Sequence, residues 1–100
     1  MNKNFYNLLL TLKKRPLLFL GEKSLERLFL FISGYLHCMQ ETDNKIPSFL
    51  PGFQEFIEKR YKVTLAYHWS TIIEFFEPGR EESFDKFYKL LEEFTGEKFT

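Results

Sequence analysis

The sequence predicts an all-α fold, a compact single-domain bundle of about five helices. Three observations predict it. Apolar side chains recur at i, i+3 and i+4 along most of the chain, the spacing that gathers them on one helix face. Proline, glycine and Asx-type residues punctuate the gaps between these stripes. No segment carries a convincing strand pattern, and no repeat or low-complexity tract interrupts the reading. A length of 100 residues fits one domain. Such a chain has a modest core, and its 13 Phe, 5 Tyr and single Trp partly offset that, because each buried ring removes a large apolar area from water.

The first helix is predicted over about residues 3–14, where Phe5, Leu8, Leu9 and Leu12 share a face. Pro16 cannot continue it and pushes Arg15 out of the α region. The apolar run Leu17 to Leu20 is either an extended link or one helical turn; periodicity does not separate the two. Gly21 supplies a turn, and Ser24 is placed to cap the first free N–H groups of the next helix. That helix carries the clearest stripe: Leu25, Leu28, Phe29, Ile32, Tyr35, Leu36 and Met39. Gly34 falls inside it at a cost of about 1 kcal/mol relative to Ala, which is tolerable if another helix packs close there.

Glu41 to Pro51 reads as a loop, with Asp43, Asn44 and two prolines as turn chemistry. Pro51 and Gly52 introduce a shorter helix with Phe53, Phe56 and Ile57 on one face. Lys62 to Leu65 is too short to assign and could be extended. Trp69, Ile72, Ile73 and Phe76 restore the helical spacing until Pro78 and Gly79 end it. Phe84, Phe87, Tyr88, Leu91 and Phe94 form the last stripe, and Gly96 stands at its C-cap position.

The formal net charge is zero, which argues against a generic nucleic-acid binder, since those carry a basic excess. The charge is unevenly distributed. Residues 1–50 hold seven basic and four acidic side chains, and residues 51–100 hold seven basic and ten acidic. The second half therefore suggests an acidic face. A lone cysteine, Cys38, rules out an internal disulfide and fits a reducing compartment. The first sixteen residues lack the long apolar region and cleavage site of a signal peptide. No segment approaches the roughly 20 apolar residues needed to cross a bilayer. The expected location is the cytosol, with no membrane association and no direct nucleic-acid contact.

No constellation of catalytic chemistry is visible, and no cofactor is implied. His37 and Glu41 share a helix face, but a metal site needs more ligands, and there is no His-x-x-x-His motif or cysteine pair. His68, just before Trp69, reads as a structural histidine at a helix start. Cys38 lies within an apolar helix, away from any helix N-terminus that would favour its thiolate, so it reads as a buried structural cysteine. Carboxylate pairs such as Glu55 with Glu58 and Glu92 with Glu93 fall on solvent faces among lysines and arginines, which is surface pairing. Lys13, Lys14 and Arg15 form the only basic cluster; they could touch phosphate, as in a nucleic-acid binder, but the preferred reading is that they offset the negative end of the first helix. Phe31, Tyr67 and Phe75 fall off the main stripes. With the carboxylates of the second half they suggest an aromatic-plus-acidic contact surface for a protein partner.

The stretch Arg15 to Tyr35 also resembles a family of small all-helical bacterial proteins. The pattern is carried by Arg15, Pro16, Phe19, Leu20, Gly21, Ser24, Leu28, Phe31, Gly34 and Tyr35. Gly52–Phe53 opening one helix, Trp69 opening another, and Ser83, Phe84, Phe87 and Leu90 in the last extend the resemblance over nearly the whole chain. Where that pattern usually has tyrosine before Leu-Gly, this chain has Phe19, which keeps the ring and loses the hydroxyl. The family occurs beside polymorphic toxins, including contact-dependent growth inhibition systems, and its members resemble immunity proteins.

The resemblance implies a non-enzymatic inhibitor. It would bind a cognate toxin domain in a one-to-one complex, with a basic nuclease such as a ribonuclease A-like domain as the expected target. Occlusion of the toxin's cationic cleft is the implied mechanism, and charge places the plausible contacts at Glu74, Glu77, Glu81, Glu82 and Asp85. The alternative expectation is a general protein-interaction module or small helical regulator with no toxin partner.

Overall fold

Each apolar stripe forms a helix in the computed structural model, which describes residues 3–42, 50–64 and 67–100. The described residues contain α1 (Lys3–Lys14), α2 (Pro16–Leu20), α3 (Leu25–Thr42), α4 (Phe53–Tyr61), α5 (Trp69–Phe76) and α6 (Arg80–Thr95), and no strand. The fold is an all-α bundle. The helix beyond the five expected is α2: the Leu17–Leu20 run is helical, with Pro16 in its first turn, where a missing N–H costs nothing. Lys62 to Thr64 is not helical. Leu65 and most of the expected Glu41–Pro51 loop lie outside the described residues.

The caps explain the boundaries. Ser24 Oγ accepts from the Arg27 N–H at 3.3 Å and the Ser24 carbonyl accepts from Leu28 at 3.0 Å, so α3 starts where the sequence places it. Gly21 closes α2 with φ at 81°, in the left-handed region that glycine enters without a Cβ penalty. Gly96 closes α6 in the same way. His68 caps α5, its Nδ1 accepting from the Ser70 N–H at 3.2 Å. Gln54 completes that junction: its Oε1 accepts from Trp69 N–H and its Nε2 donates to the Tyr67 carbonyl, both at 2.8 Å.

Phe53 is the hub of the core. It is fully buried and meets Trp69, Phe87 and Phe94 edge-on, with ring centroids 5.3, 6.0 and 5.5 Å away. Trp69 in turn stacks on Phe87 at 5.1 Å. These rings lock α4, α5 and α6 together, and the offset and edge-to-face geometry adds to the area they bury. Leu9, Leu12, Leu25, Leu28 and Ile32 bring α1 and α3 into the same core.

The C-terminal segment is tied to α1. Phe99 is fully buried and packs on Tyr6 and Tyr88, with centroids 4.7 and 5.8 Å away. Its N–H donates to Glu92 Oε2 at 2.7 Å, and its carbonyl accepts from Lys13 Nζ. Tyr6 donates to the Lys98 carbonyl, and Tyr88, inside the core, donates to the Leu9 carbonyl at 2.7 Å. Lys13 is therefore part of this strap as well as of the last turn of α1.

One expectation on α3 is corrected, and one condition on it is not met. Cys38 is exposed, not buried. Gly34 faces solvent, and a Cβ added there would meet nothing within 4 Å, so no helix among the described residues packs against it. At about 100° per residue, Cys38 lies roughly 110° and Gly34 roughly 150° around the helix from the Leu25–Leu28–Ile32 stripe. Both sit among the apolar residues in sequence but off their face.

Candidate interaction surface

Arg15 to Arg27 does two jobs. Leu20 and Leu25 go into the core, while Leu17 and Leu18 stay 69 % exposed on α2. Pro16 and Gly21 allow this by holding α2 to five residues, of which only Leu20 is buried. Gly21 then turns the chain so that Glu22 and Lys23 lie against the start of α6.

Ion pairs fix that turn. Glu22 lies between two arginines, Arg27 Nε at 3.0 Å and Arg80 Nη1 at 2.6 Å. Arg27 also donates to the Leu20 carbonyl at 2.8 Å. Lys23 lies 2.9 Å from Asp85 and 3.9 Å from Glu81, above the Phe84 ring. Exposed pairs of this kind contribute about 0–1 kcal/mol each. Their main effect is to orient the α2–α3 turn.

Two open grooves flank the Glu22–Arg80 pair, and both residues line both grooves. The first, about 700 Å³, runs past Lys14, Arg15, Leu17 and Leu18. The second, about 460 Å³, is bordered by Glu26, Leu30, Glu74 and Pro78. Leu30 is 63 % exposed. A helical wheel places it nearly opposite the buried face of α3, so the spacing of Leu25, Leu28 and Ile32 contains this signal.

The five carboxylates singled out by charge do not form one cluster. Glu81 and Asp85 come together around Lys23, and their charge is already partnered. Glu82 is exposed in the first turn of α6, with its carboxylate folded back against Gly79. Glu77 caps the end of α5 beside Tyr61. Burial, and then the Glu77 charge, raise the pKa of that phenol. The buried Tyr61 hydroxyl has no hydrogen-bond partner among the described residues. Glu74 lines the second groove with Glu26. Its carboxyl is pushed above the ordinary range by burial first and by the Glu26 charge second. Neither Glu26 nor Glu74 has an ion-pair partner among the described residues.

The aromatics taken for a contact surface divide. Phe31 packs against the core. Phe75 is 78 % exposed, and Tyr67 is exposed on the approach to α5. His68 is fixed by its cap: burial holds its imidazole below its ordinary pKa, and an Nδ1 that accepts an N–H bond must be unprotonated. Lys14 and Arg15 end up beside the exposed leucines of α2. Sequence reasoning missed Glu26, Leu17, Leu18 and Leu30 as surface determinants.

Among the described residues, no group of three or more His, Cys, Asp or Glu side chains is arranged to hold a metal ion. No helix among them is long and apolar enough to cross a membrane. No protein-family model, curated protein or solved structure matches the chain.

Proposed function

We propose that this chain is an immunity protein, which binds a cognate bacterial toxin domain and neutralises it by occluding a cationic active-site cleft. The observation that carries this reading is the outward placement of Leu17, Leu18 and Leu30, with Leu30 in a groove bordered by Glu26 and Glu74, which have no ion-pair partner among the described residues. The fold does not need these leucines in solvent. Burying each against a partner is worth about 1.5–3 kcal/mol. Apolar anchors ringed by charge are how compact binders gain both affinity and specificity.

The chemistry suits a basic target such as a ribonuclease. Glu26 and Glu74 repel one another in the free chain, so a lysine or arginine from the toxin would relieve that repulsion as it docks. Glu77 and Glu82 do not line this groove. Glu81 and Asp85 contribute less, because Lys23 already offsets them. The resemblance of Arg15–Tyr35 to immunity proteins supports the same reading, since that stretch builds both grooves.

Binding kinetics with the C-terminal domain of the large product encoded just upstream test the proposal. Glu26→Lys with Glu74→Lys should slow association at low salt more than Glu81→Lys with Asp85→Lys does, and rising salt should shrink the difference. Equal effects from the two pairs would refute the assignment of the acidic contacts. Absence of a complex with any neighbouring toxin would leave the general interaction-module reading in its place.

A further inference from the structure

The surface around Glu22 and Arg80 has two ends of opposite character. One end presents Lys14 and Arg15 beside Leu17 and Leu18. The other presents Glu26 and Glu74 beside Leu30. All four charged side chains lack an ion-pair partner among the described residues. Between the two ends, Glu22 bridges Arg27 and Arg80, at 3.0 and 2.6 Å.

Such a surface is complementary to itself. In a two-fold interface, residue i of one copy meets residue j of the other while j meets i. A two-fold axis through the Glu22–Arg80 pair sets the cationic end of one copy against the acidic end of the second. The same operation sets Leu17 and Leu18 against Leu30. Lys14 and Arg15 of each copy then meet Glu26 and Glu74 of the other, twice over, and the exposed leucines leave water together. A surface of one sign would repel its own copy, whereas this chain has zero net charge and carries no such penalty. A basic partner satisfies only the acidic end and leaves Lys14 and Arg15 facing cations, so a second copy fits the whole surface better.

We propose that this face pairs two copies of the chain in a symmetric dimer through Lys14 and Arg15 on one copy and Glu26 and Glu74 on the other. The proposal concerns the chain alone and goes beyond the toxin reading. Where both hold, the toxin competes with the second copy for the acidic end, and the dimer opens as the complex forms.

Sedimentation of the full chain, without any toxin, from micromolar to near-millimolar concentration tests this. The expected result is a reversible monomer–dimer equilibrium that shifts toward monomer as salt rises. Lys14→Glu with Arg15→Glu makes both ends acidic, and Glu26→Lys with Glu74→Lys makes both ends basic. Each double variant alone should weaken the dimer by about tenfold or more. Mixed in equal amounts, the two should associate again, because every contact is then complementary. Leu17→Ser with Leu18→Ser, at exposed positions, should retain the wild-type circular dichroism and lose the dimer. A chain that stays monomeric throughout would overturn the proposal. So would a dimer indifferent to the reversals, or a mixture of the two charge variants that does not associate. None of these outcomes bears on toxin rescue, which is read separately.

Discussion

The α4–α5–α6 side and the Arg15–Leu30 side use the same kinds of residue for opposite ends. On the first, Phe53, Trp69 and Phe87 turn inward and meet ring to ring. On the second, Leu17, Leu18 and Leu30 turn outward, and charged side chains occupy the spaces between them. The difference teaches that hydrophobic content alone does not define a core. Helix length and helix face do: a five-residue helix buries one leucine, and a residue opposite the stripe of α3 buries none.

The largest expected effect comes from the inward side. Phe53→Ala and Phe99→Ala should each destabilise the chain by about 3–5 kcal/mol in urea or guanidinium titration, because each leaves a cavity among rings that have little room to close it. Leu17→Ala and Leu18→Ala should change stability by no more than about 0.5 kcal/mol in the same titration. A loss of several kcal/mol at either leucine would erase the distinction between the two sides.

Single polar contacts within the core come next. Tyr88→Phe removes a buried donor to the Leu9 carbonyl and should cost about 1 kcal/mol, read as a lower denaturation midpoint. His68→Ala should cost about 1 kcal/mol through loss of the α5 cap.

His68 also makes a pH prediction. Its folded pKa lies below its ordinary value of 6.5. The stability it contributes is therefore fully present above about pH 6.5 and is lost as pH falls through the lowered folded value. His68→Asn puts a capping oxygen in place of Nδ1 without a titrating ring, so its melting temperature should vary less between pH 7 and pH 5 than that of the wild type. An unchanged pH profile would count against the cap as the source.

The smallest effect sharpens the outward side. Glu74 has a raised folded pKa, so its charge opposes folding above that pKa, and the penalty lifts as pH falls through it. Glu74→Gln should slightly raise the melting temperature at neutral pH and remove this gain on mild acidification. Glu26→Gln should raise it as well, but by less, since burial is the larger cause of the Glu74 shift.

Much of the inward side was legible in the sequence. The i, i+3, i+4 spacing located α1 at residues 3–14, and Ser24, Pro78 and Gly96 marked boundaries because capping and chain-breaking are local. Periodicity did not decide the state of Leu17–Leu20, because a single turn has no repeat to count. The buried-cysteine expectation failed for a related reason: apolar neighbours in sequence do not place a residue on the apolar face. The acidic surface was the least legible part. Asp85 pairs with Lys23 from 62 positions away, and Glu74 faces Glu26 across a groove. Such tertiary neighbours decide which carboxylates keep their charge free, and no spacing rule contains them.

The most direct test of the immunity reading is co-expression of the chain with the C-terminal domain of the large product encoded just upstream, scored by growth and by co-purification. The wild type should form a one-to-one complex and restore growth. A Leu17→Ser, Leu18→Ser, Leu30→Ser variant with unchanged circular dichroism should do neither. Growth restored equally well by that variant, or a toxin that the wild type neither binds nor blocks, would contradict the account.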